Sequence, residues 1–199
     1  MSLLPQEFYS RDALEVAKDL LGKELRRGRV VLKISEVEAY RWPSDSANHC
    51  HKGRTQRNEP MWGPAGHCYV YLCYGIHNML NVVTNLEGEG AAVLIRSCEV
   101  IQGASIVRKR RAYKEGPVLL TGPGKIGQAL ALDTTWSNHC LYEERGLELH
   151  DGPPVGQFLK GPRVGIDYAK PKDVKAPWRF ALANTAWVSQ RKSLKVARA

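Results

Sequence analysis

The sequence predicts an α+β fold, a single mixed domain with a mostly antiparallel, curved sheet, surrounding helices and a protruding β-hairpin. Its 199 residues fit one domain and are enough to bury a core. Strand-like and short helical segments alternate without an internal repeat or an obvious linker. Two strand-like segments, residues 69–73 and 80–84, flank a short turn, which predicts the hairpin. We therefore expect residues 1–199 to form one domain.

The first elements are a helix and a long strand. Residues 10–22 have the pattern of a helix, with Ser10 as its cap, Asp12 in its first turn and Gly22 as its stop. Residues 29–40 are predicted to form a strand. Residues 41–66 are rich in Pro, Gly, Asn and Ser, which predicts a long loop that is either functional or disordered.

The later elements are shorter. The pattern predicts strands at 91–100, 163–167 and near 178–188, a helix at 124–132, and a turn around residues 74–77. The basic residues 191–199 are expected to form a disordered tail.

Charge and cysteine content limit the functional classes. The 29 Lys and Arg residues exceed the 20 acids, giving a net charge of +9, which suits a polyanionic partner or simply a soluble basic protein. Five cysteines without a C-x-x-C pair argue against a disulfide framework and a zinc ribbon. No apolar run suits a membrane span, and the start does not resemble a signal peptide. We expect a reducing compartment.

The strand at 29–40 carries an unusual face. Alternation places Glu36, Glu38 and Tyr40 on the same side. Two adjacent carboxylates repel each other unless a positive group lies nearby, and Arg96 on another strand can supply it. A buried glutamate held by an arginine can act as a general base. The alternative is an exposed strand face with solvated acids.

The predicted turn would present Tyr74, Ile76 and His77 at or near its tip. Exposed aromatic and aliphatic side chains suit a wedge between base pairs. The alternative is that the tip packs back onto the core.

Other motifs are weaker. His49, His51 and His67 match no strong zinc spacing. TGPGKIG, residues 121–127, lacks the P-loop frame, although Lys125 could hold one backbone phosphate; a plain helix start explains it equally well. The basic run at 107–114 is either a solvated surface or a non-specific DNA contact.

Six segments together resemble the alkyladenine (3-methyladenine) DNA glycosylase family. They are EVEAY, the His of SDSANHCHKGRTQRN, YVYLCYGIHNMLN, AAVLIRS, TGPGKIGQAL, and PRVGIDYA with PWRF, in the family's order over residues 8 to 190. The resemblance implies removal of damaged purines from double-stranded DNA by hydrolysis of the N-glycosidic bond. The implied lesions are 3-methyladenine, 7-methylguanine, ethenoadenine and hypoxanthine, and the product is an abasic site.

The resemblance also implies residue roles. Glu38 matches the general base that activates water, and Arg96 and the backbone carbonyl of Val164 match the groups that place this water. The resemblance implies a pocket for the flipped base formed by Tyr40, His49, Tyr71 and Leu94, with Asn81 placed against the amino group of guanine. It implies that Tyr74 intercalates into the duplex, with Ile76 and His77 beside it. It also implies that Arg54 and Lys125 contact the DNA backbone. The expected protein is a monofunctional monomer without cofactor, metal or membrane contact. It would lie in the cytoplasm at the nucleoid of a bacterium or in a eukaryotic nucleus, and would not be secreted.

Two alternatives remain at this point. One is a metal-dependent nuclease with Glu36, Glu38, His49 and His51 as ligands. The other is a non-catalytic module that binds damaged DNA through Tyr74.

Overall fold

The computed structural model describes residues 2–198. Among these residues there are nine strands: β1 (Glu24–Arg27), β2 (Val30–Tyr40), β3 (Cys68–Cys73), β4 (His77–Val83), β5 (Ala92–Gln102), β6 (Glu148–His150), β7 (Gln157–Gly161), β8 (Arg179–Leu182) and β9 (Lys195–Arg198). The α-helices of this part of the chain are α1 (Gln6–Tyr9), α2 (Ala13–Asp19), α3 (Ala104–Arg110), α4 (Pro123–Ala129) and α5 (Pro171–Val174). Short 3-10 helices occupy Glu59–Trp62, Gly116–Leu119, Thr134–Trp136 and Arg191–Ser193.

The strands form one antiparallel sheet, which confirms the predicted α+β class. The order is β3-β4-β5-β2-β8-β7-β9, and β1 pairs with both β2 and β6. Strand β2 is central because it pairs with β5, β8 and β1. Its register with β5 shifts next to Glu36, which marks a β-bulge of the kind that re-aims side chains near functional sites. In the part of the chain that is described, no helix is long and apolar enough to cross a membrane.

Helix α2 begins later than the sequence pattern predicted. Asp12, and not Ser10, caps it: the Asp12 carboxylate accepts a hydrogen bond from the backbone N–H of Leu14 at 2.9 Å. An aspartate at this position satisfies a free N–H and also favours the positive helix terminus. The helix buries its apolar face in the core, through Ala13, Val16 and Ala17.

The hairpin of β3 and β4 is present and has a three-residue tip, Tyr74, Gly75 and Ile76, which we call the hairpin tip. Tyr74 has a φ of 50°, an uncommon conformation for a bulky residue. Helix α4 packs directly onto β4 behind this tip. A Cβ on Gly127 would lie 2.1 Å from the carbonyl oxygen of Asn78, so this close approach requires glycine.

The C-terminal third differs most from the sequence prediction. Residues 163–167 form a loop, because Pro162 cannot donate to a ladder and Gly165 adopts a φ of 75°. The actual strand is β7, just before them, and β8 covers only the first part of 178–188. The expected tail instead forms a 3-10 turn and strand β9, which pairs with β7. Residue 199 lies outside the described residues.

Candidate active site

A cavity of about 350 Å³ opens beside the middle of the sheet. Its walls come from the loop after β2, from the β3–β4 hairpin, from β5 and from the loop after β7. The predicted site residues that line it are Tyr40, His49, Tyr71, Tyr74, Asn81, Leu94, Arg96 and Val164. Residues distant in sequence therefore meet at one concave site of the size that holds a small ligand.

Glu38 lies fully buried beneath this cavity. Its Oε1 atom accepts a hydrogen bond from the backbone N–H of Val164 at 2.7 Å and lies 3.3 Å from an Nη atom of Arg96. Its Oε2 atom accepts a hydrogen bond from the hydroxyl of Tyr40 at 3.0 Å. Three donors thus fix the carboxylate in one orientation. The family resemblance predicts that the backbone carbonyl of Val164 contacts the attacking water. The structure shows that the N–H of Val164 contacts Glu38. The role of the carbonyl stays a prediction.

Glu36, two residues earlier, is also fully buried but is held by more donors. Oε1 accepts from Arg179 at 2.9 Å and from the Ser189 hydroxyl at 2.9 Å, and Oε2 accepts from the Ser189 N–H at 2.7 Å. The Ser97 hydroxyl donates at 2.5 Å and Nε of Arg96 at 3.3 Å. Both carboxylate oxygens of Glu36 are occupied, which favours a structural role for it.

Arg96 links the two carboxylates. Its Nε atom faces Glu36 and its Nη1 atom faces Glu38. Burial acts to lower the pKa of Arg96, but the two negative charges outweigh it and raise the pKa, so the guanidinium stays charged. We call the group formed by Glu36, Glu38, Arg96, Arg179 and Ser189 the carboxylate floor.

Tyr40 forms one wall next to the floor. The guanidinium carbon of Arg163 lies 4.6 Å from the centre of its ring, and Arg163 forms two hydrogen bonds with Asp45, at 2.5 and 2.8 Å. Burial, with the charge of Glu38, raises the pKa of Tyr40, so its hydroxyl stays protonated and donates to Glu38. Arg163 thereby supports the ring from behind.

His49 and two tyrosines, Tyr69 and Tyr71, form another wall of the cavity. The ring of His49 lies 4.6 Å from that of Tyr71, edge to face, and Tyr69 stacks on Tyr71 at 5.4 Å. Nδ1 of His49 lies 3.0 Å from the hydroxyl of Tyr69. The His49 ring is open to the cavity, yet the surrounding walls limit its hydration. Burial and the charge of Arg57 lower the pKa of His49 to about 4, so the ring is neutral at pH 7.

Asn81 and Leu94 lie side by side on neighbouring strands, in register with each other. The Nδ2 atom of Asn81 donates to the carbonyls of Tyr69 and Met79, at 3.1 and 3.3 Å. Two acceptors on one side fix the amide orientation, so the Oδ1 atom faces away from them. Asn81 is thus a rigid polar group among apolar neighbours at the cavity.

The three residues predicted for intercalation divide into two groups. Tyr74 and Ile76 stand at the hairpin tip, 88% and 72% exposed. His77 is instead the first residue of β4, opposite Cys73, and a Cβ on Gly124 would lie 2.7 Å from its ring. The ring of His77 therefore flanks the tip beside α4 and does not form the tip.

The two predicted backbone contacts also differ. Arg54 is paired with Glu59, which accepts from both Nε, at 2.7 Å, and Nη2. Lys125 lies near Arg111 and Lys114, and burial together with these positive charges lowers its pKa. Among the described residues, no acidic side chain pairs with Lys125, whereas Arg54 pairs with Glu59.

Sequence reasoning missed several residues at the site. Arg57 and Tyr168 line the cavity, Tyr69 contacts His49, and Arg163 supports Tyr40. Tyr69 shares a strand face with Tyr71, and this alternation could have identified Tyr69 as a residue of the site. Nothing in the spacing of Arg57 distinguishes it from other basic residues of its loop.

The ligand set of the nuclease alternative does not meet at one point. Within residues 2–198 there is no group of three or more His, Cys, Asp or Glu side chains placed to hold a metal ion. Glu36 and Glu38 face an arginine between them, and His49 faces Tyr69.

Comparisons with known proteins identify one family and a consistent set of relatives. The model of the methylpurine-DNA glycosylase family matches residues 7–186. A protein of Nitrosococcus oceani, provisionally named a 3-methyladenine DNA glycosylase, is 59% identical over 193 residues, or 97% of this chain and 96% of the relative. The DNA-3-methyladenine glycosylase of Arabidopsis thaliana is 57% identical over 97% of this chain and 76% of its own length. A third protein, of Methanocella arvoryzae and with the same provisional name as the first, is 44% identical over 96% of this chain and 98% of its own.

Proposed function

Because the chain belongs to the methylpurine-DNA glycosylase family, we propose that it excises alkylated or deaminated purines from duplex DNA and leaves abasic sites. The observation that carries the proposal is Glu38, a carboxylate fixed by three donors at the base of an aromatic-walled cavity. The proposed substrates are 3-methyladenine, 7-methylguanine, ethenoadenine and hypoxanthine.

In the proposed reaction, Glu38 accepts a proton from a water that attacks C1′ of a flipped nucleotide. The N-glycosidic bond breaks and its electron pair leaves with the purine. Arg96 and the backbone carbonyl of Val164 would hold the water. Glu38 suits a general base because Arg96 and the N–H of Val164 maintain its orientation without a preceding rearrangement.

The walls suit a flipped purine. Tyr40 on one side, and His49 with Tyr71 on the other, offer ring faces to a base between them. A 3-alkylated or 7-alkylated purine is cationic, so it leaves readily and interacts favourably with π-faces. Flipping costs a few kcal/mol, and less at damaged pairs, which adds selectivity. Asn81 would disfavour the amino group of undamaged guanine, and Leu94 would pack against the base.

The exposed Tyr74 and Ile76 would fill the gap that the flipped nucleotide leaves in the duplex. Lys125, on the helix that packs against β4, would contact a phosphate, and Arg54 would do so only in competition with Glu59. We propose that the protein acts as a monomer, without metal or cofactor, in the compartment that contains the DNA.

The decisive variant is Glu38→Gln, which keeps the shape of the side chain and removes its basicity. We expect single-turnover excision to fall by about 10²-fold or more, while binding to the lesion duplex persists. The measurement is free-base release with enzyme in excess, together with equilibrium binding. Glu15→Gln, at an exposed position of α2, is the matched control and should behave as wild type. Near-normal excision by Glu38→Gln would refute the assignment.

The reaction class needs a separate test with wild-type protein. Duplexes with one hypoxanthine or one ethenoadenine are incubated with and without a chelator, and the strands are analysed before and after alkali. The expected result is free base, with strand breaks only after alkali and no effect of the chelator. Chelator-sensitive cutting without alkali would identify a nuclease. Binding without release from either lesion or from methylated DNA would identify a binding module.

A further inference from the structure

One wall of the cavity carries a chain of three polar side chains. Arg57 lines the cavity with its guanidinium carbon 5.6 Å from the centre of the Tyr71 ring. Burial raises the pKa of the Tyr69 phenol to about 12, and the positive charge of nearby Arg57 opposes the rise. The phenol in turn lies 3.0 Å from Nδ1 of His49.

The charge of Arg57 favours one direction for the hydrogen bond between Tyr69 and His49. A guanidinium has donors and no acceptor, so it attracts the lone pairs of the Tyr69 oxygen and leaves the phenol proton for another acceptor. The phenol keeps one proton to donate, and among residues 2–198 its acceptor is Nδ1 of His49. His49 is neutral and so carries a single ring proton, which must then reside on Nε2. Nε2 makes no hydrogen bond to any other described residue, and the ring borders the cavity.

We propose that Arg57, acting through Tyr69 and directly, makes this wall donor-only and thereby favours neutral 6-oxopurines over cationic 6-aminopurines. The inference rests on the proposed glycosylase function and specifies its substrate class. A 6-oxopurine such as hypoxanthine presents acceptors at O6 and N7, which match the N–H of His49 and the guanidinium of Arg57. 3-Methyladenine presents an amino donor at position 6 and a positive charge, and a fixed guanidinium opposes both.

Charge at the wall supports this assignment. No acidic side chain pairs with Arg57 within the described residues, in contrast to Arg54 and Arg163, which pair with Glu59 and Asp45. A guanidinium without a counter-charge at a cavity rim is available to a ligand acceptor. It also stabilises negative charge that develops on a neutral purine as it leaves, which is the step for which an uncharged base is least suited.

The activity test compares two lesions in one set of variants. Arg57→Met keeps most of the length and removes the charge, and Lys52→Met, in the same loop and exposed, is the matched control. We expect Arg57→Met to lower single-turnover release of hypoxanthine about 10-fold, while release of 3-methyladenine from methylated DNA stays unchanged or rises. Arg57→Lys should recover only part of the hypoxanthine rate, because a point charge lacks the planar fork. Equal loss for both lesions would overturn the inference.

A second measurement does not depend on activity. Long-range ¹H–¹⁵N NMR at about pH 8.5, where ordinary histidines are neutral, reports which ring nitrogen is protonated. His139 and His67 are internal references, because Nε2 of His139 and Nδ1 of His67 face carbonyl oxygens at 2.9 and 3.1 Å and must carry protons. We expect His49 to match His139, and Tyr69→Phe to lose this preference. A proton on Nδ1 of His49 in the wild type would overturn the proposed arrangement of Arg57, Tyr69 and His49.

The two tests separate the inference from the proposed function. Wild type that releases neither base defeats the glycosylase proposal whatever the NMR shows. Wild type that releases both, with an unchanged ratio in Arg57→Met, defeats only the role of Arg57.

Discussion

The carboxylate floor and the hairpin tip lie on the same cavity but depart from ordinary protein chemistry in opposite directions. The floor buries two carboxylates and two guanidiniums, whereas the tip exposes an aromatic and an aliphatic side chain. Every carboxylate oxygen of the floor has a partner. The hairpin tip is closed by a backbone hydrogen bond from the N–H of Ile76 to the carbonyl of Cys73, at 3.2 Å. Each region departs from the rule that apolar groups are buried and charges are exposed.

The difference between the carboxylate floor and the hairpin tip reflects the different task that we propose for each. A general base must keep its geometry while charge moves, so many donors are needed to hold it. A wedge needs only exposed apolar surface on a narrow projection, so a turn with an uncommon φ is sufficient. We therefore expect substitutions in the floor to change stability and substitutions in the tip to change DNA binding.

The strongest test of this contrast is Glu36→Gln. The variant removes a fully buried charge and leaves Arg179 and Arg96 with a deficit of negative partners. We expect the free energy of unfolding to fall by about 3–5 kcal/mol, measured by urea titration. Glu15→Gln, exposed on α2, should change it by less than about 0.5 kcal/mol. A stable Glu36→Gln protein would show that the floor is not held by charge pairing.

Tyr74→Gly tests the opposite end of the comparison. Loss of the ring should weaken binding to a lesion duplex about 10-fold, the scale of one stacking contact. Stability should stay the same or rise by up to about 1 kcal/mol, because glycine accepts a positive φ without strain. The control is Leu86→Ala, another exposed apolar residue, which does not line the cavity. If both variants weaken binding equally, the tip has no special role.

His49, which lines the same cavity, gives a smaller, pH-dependent effect. Its pKa in the folded state is about 4, below the ordinary value of 6.5, so the unfolded chain binds more protons between these values. Stability should therefore fall as pH decreases from 6.5 to 4, and His49→Asn should reduce this slope. Cavity solvent reduces the size of the effect. Identical slopes in urea titrations of the two proteins would exclude His49 as a contributor.

The smallest effect concerns the positive charges of Lys125 and Arg54. Lys125→Met should lower the salt-dependence slope of DNA binding by about 1, the value of one phosphate contact. Arg54→Met should lower it less, because Glu59 already neutralises Arg54. Binding constants at several salt concentrations measure both slopes. A larger change for Arg54 would reverse the assignment of these two residues.

Local sequence patterns predicted parts of both the carboxylate floor and the hairpin tip. Strand alternation placed Glu36, Glu38 and Tyr40 together, and the register of β2 and β5 brings Arg96 to them as expected. The tip was also predicted, except that the turn ends at Ile76 and returns His77 to the sheet. Local patterns contain this information because strand periodicity and turn composition act over a few residues.

Other parts of the site depend on contacts that no local pattern contains. Ser189 and Arg179 bind Glu36 across 153 and 143 residues of sequence, and nothing near them marks the partner. The strand predicted at 163–167 was wrong because tertiary position, and not its apolar alternation, determined its conformation. The predicted disorder of 191–199 failed because β7 offers an edge to which basic residues can pair.

The sequence separations of the floor have a kinetic consequence. The tip forms within a hairpin whose paired residues are at most 14 positions apart, since Cys68 pairs with Val82, and such hairpins form in about 1–10 μs. The floor requires closure between Glu36 and Ser189, which long-range contacts make slow. A partly folded chain would therefore expose the hairpin tip before Glu38 is held in place. With the roles proposed above, chains arrested at that stage would bind damaged duplex without releasing a base, and would compete with intact copies for the same lesions.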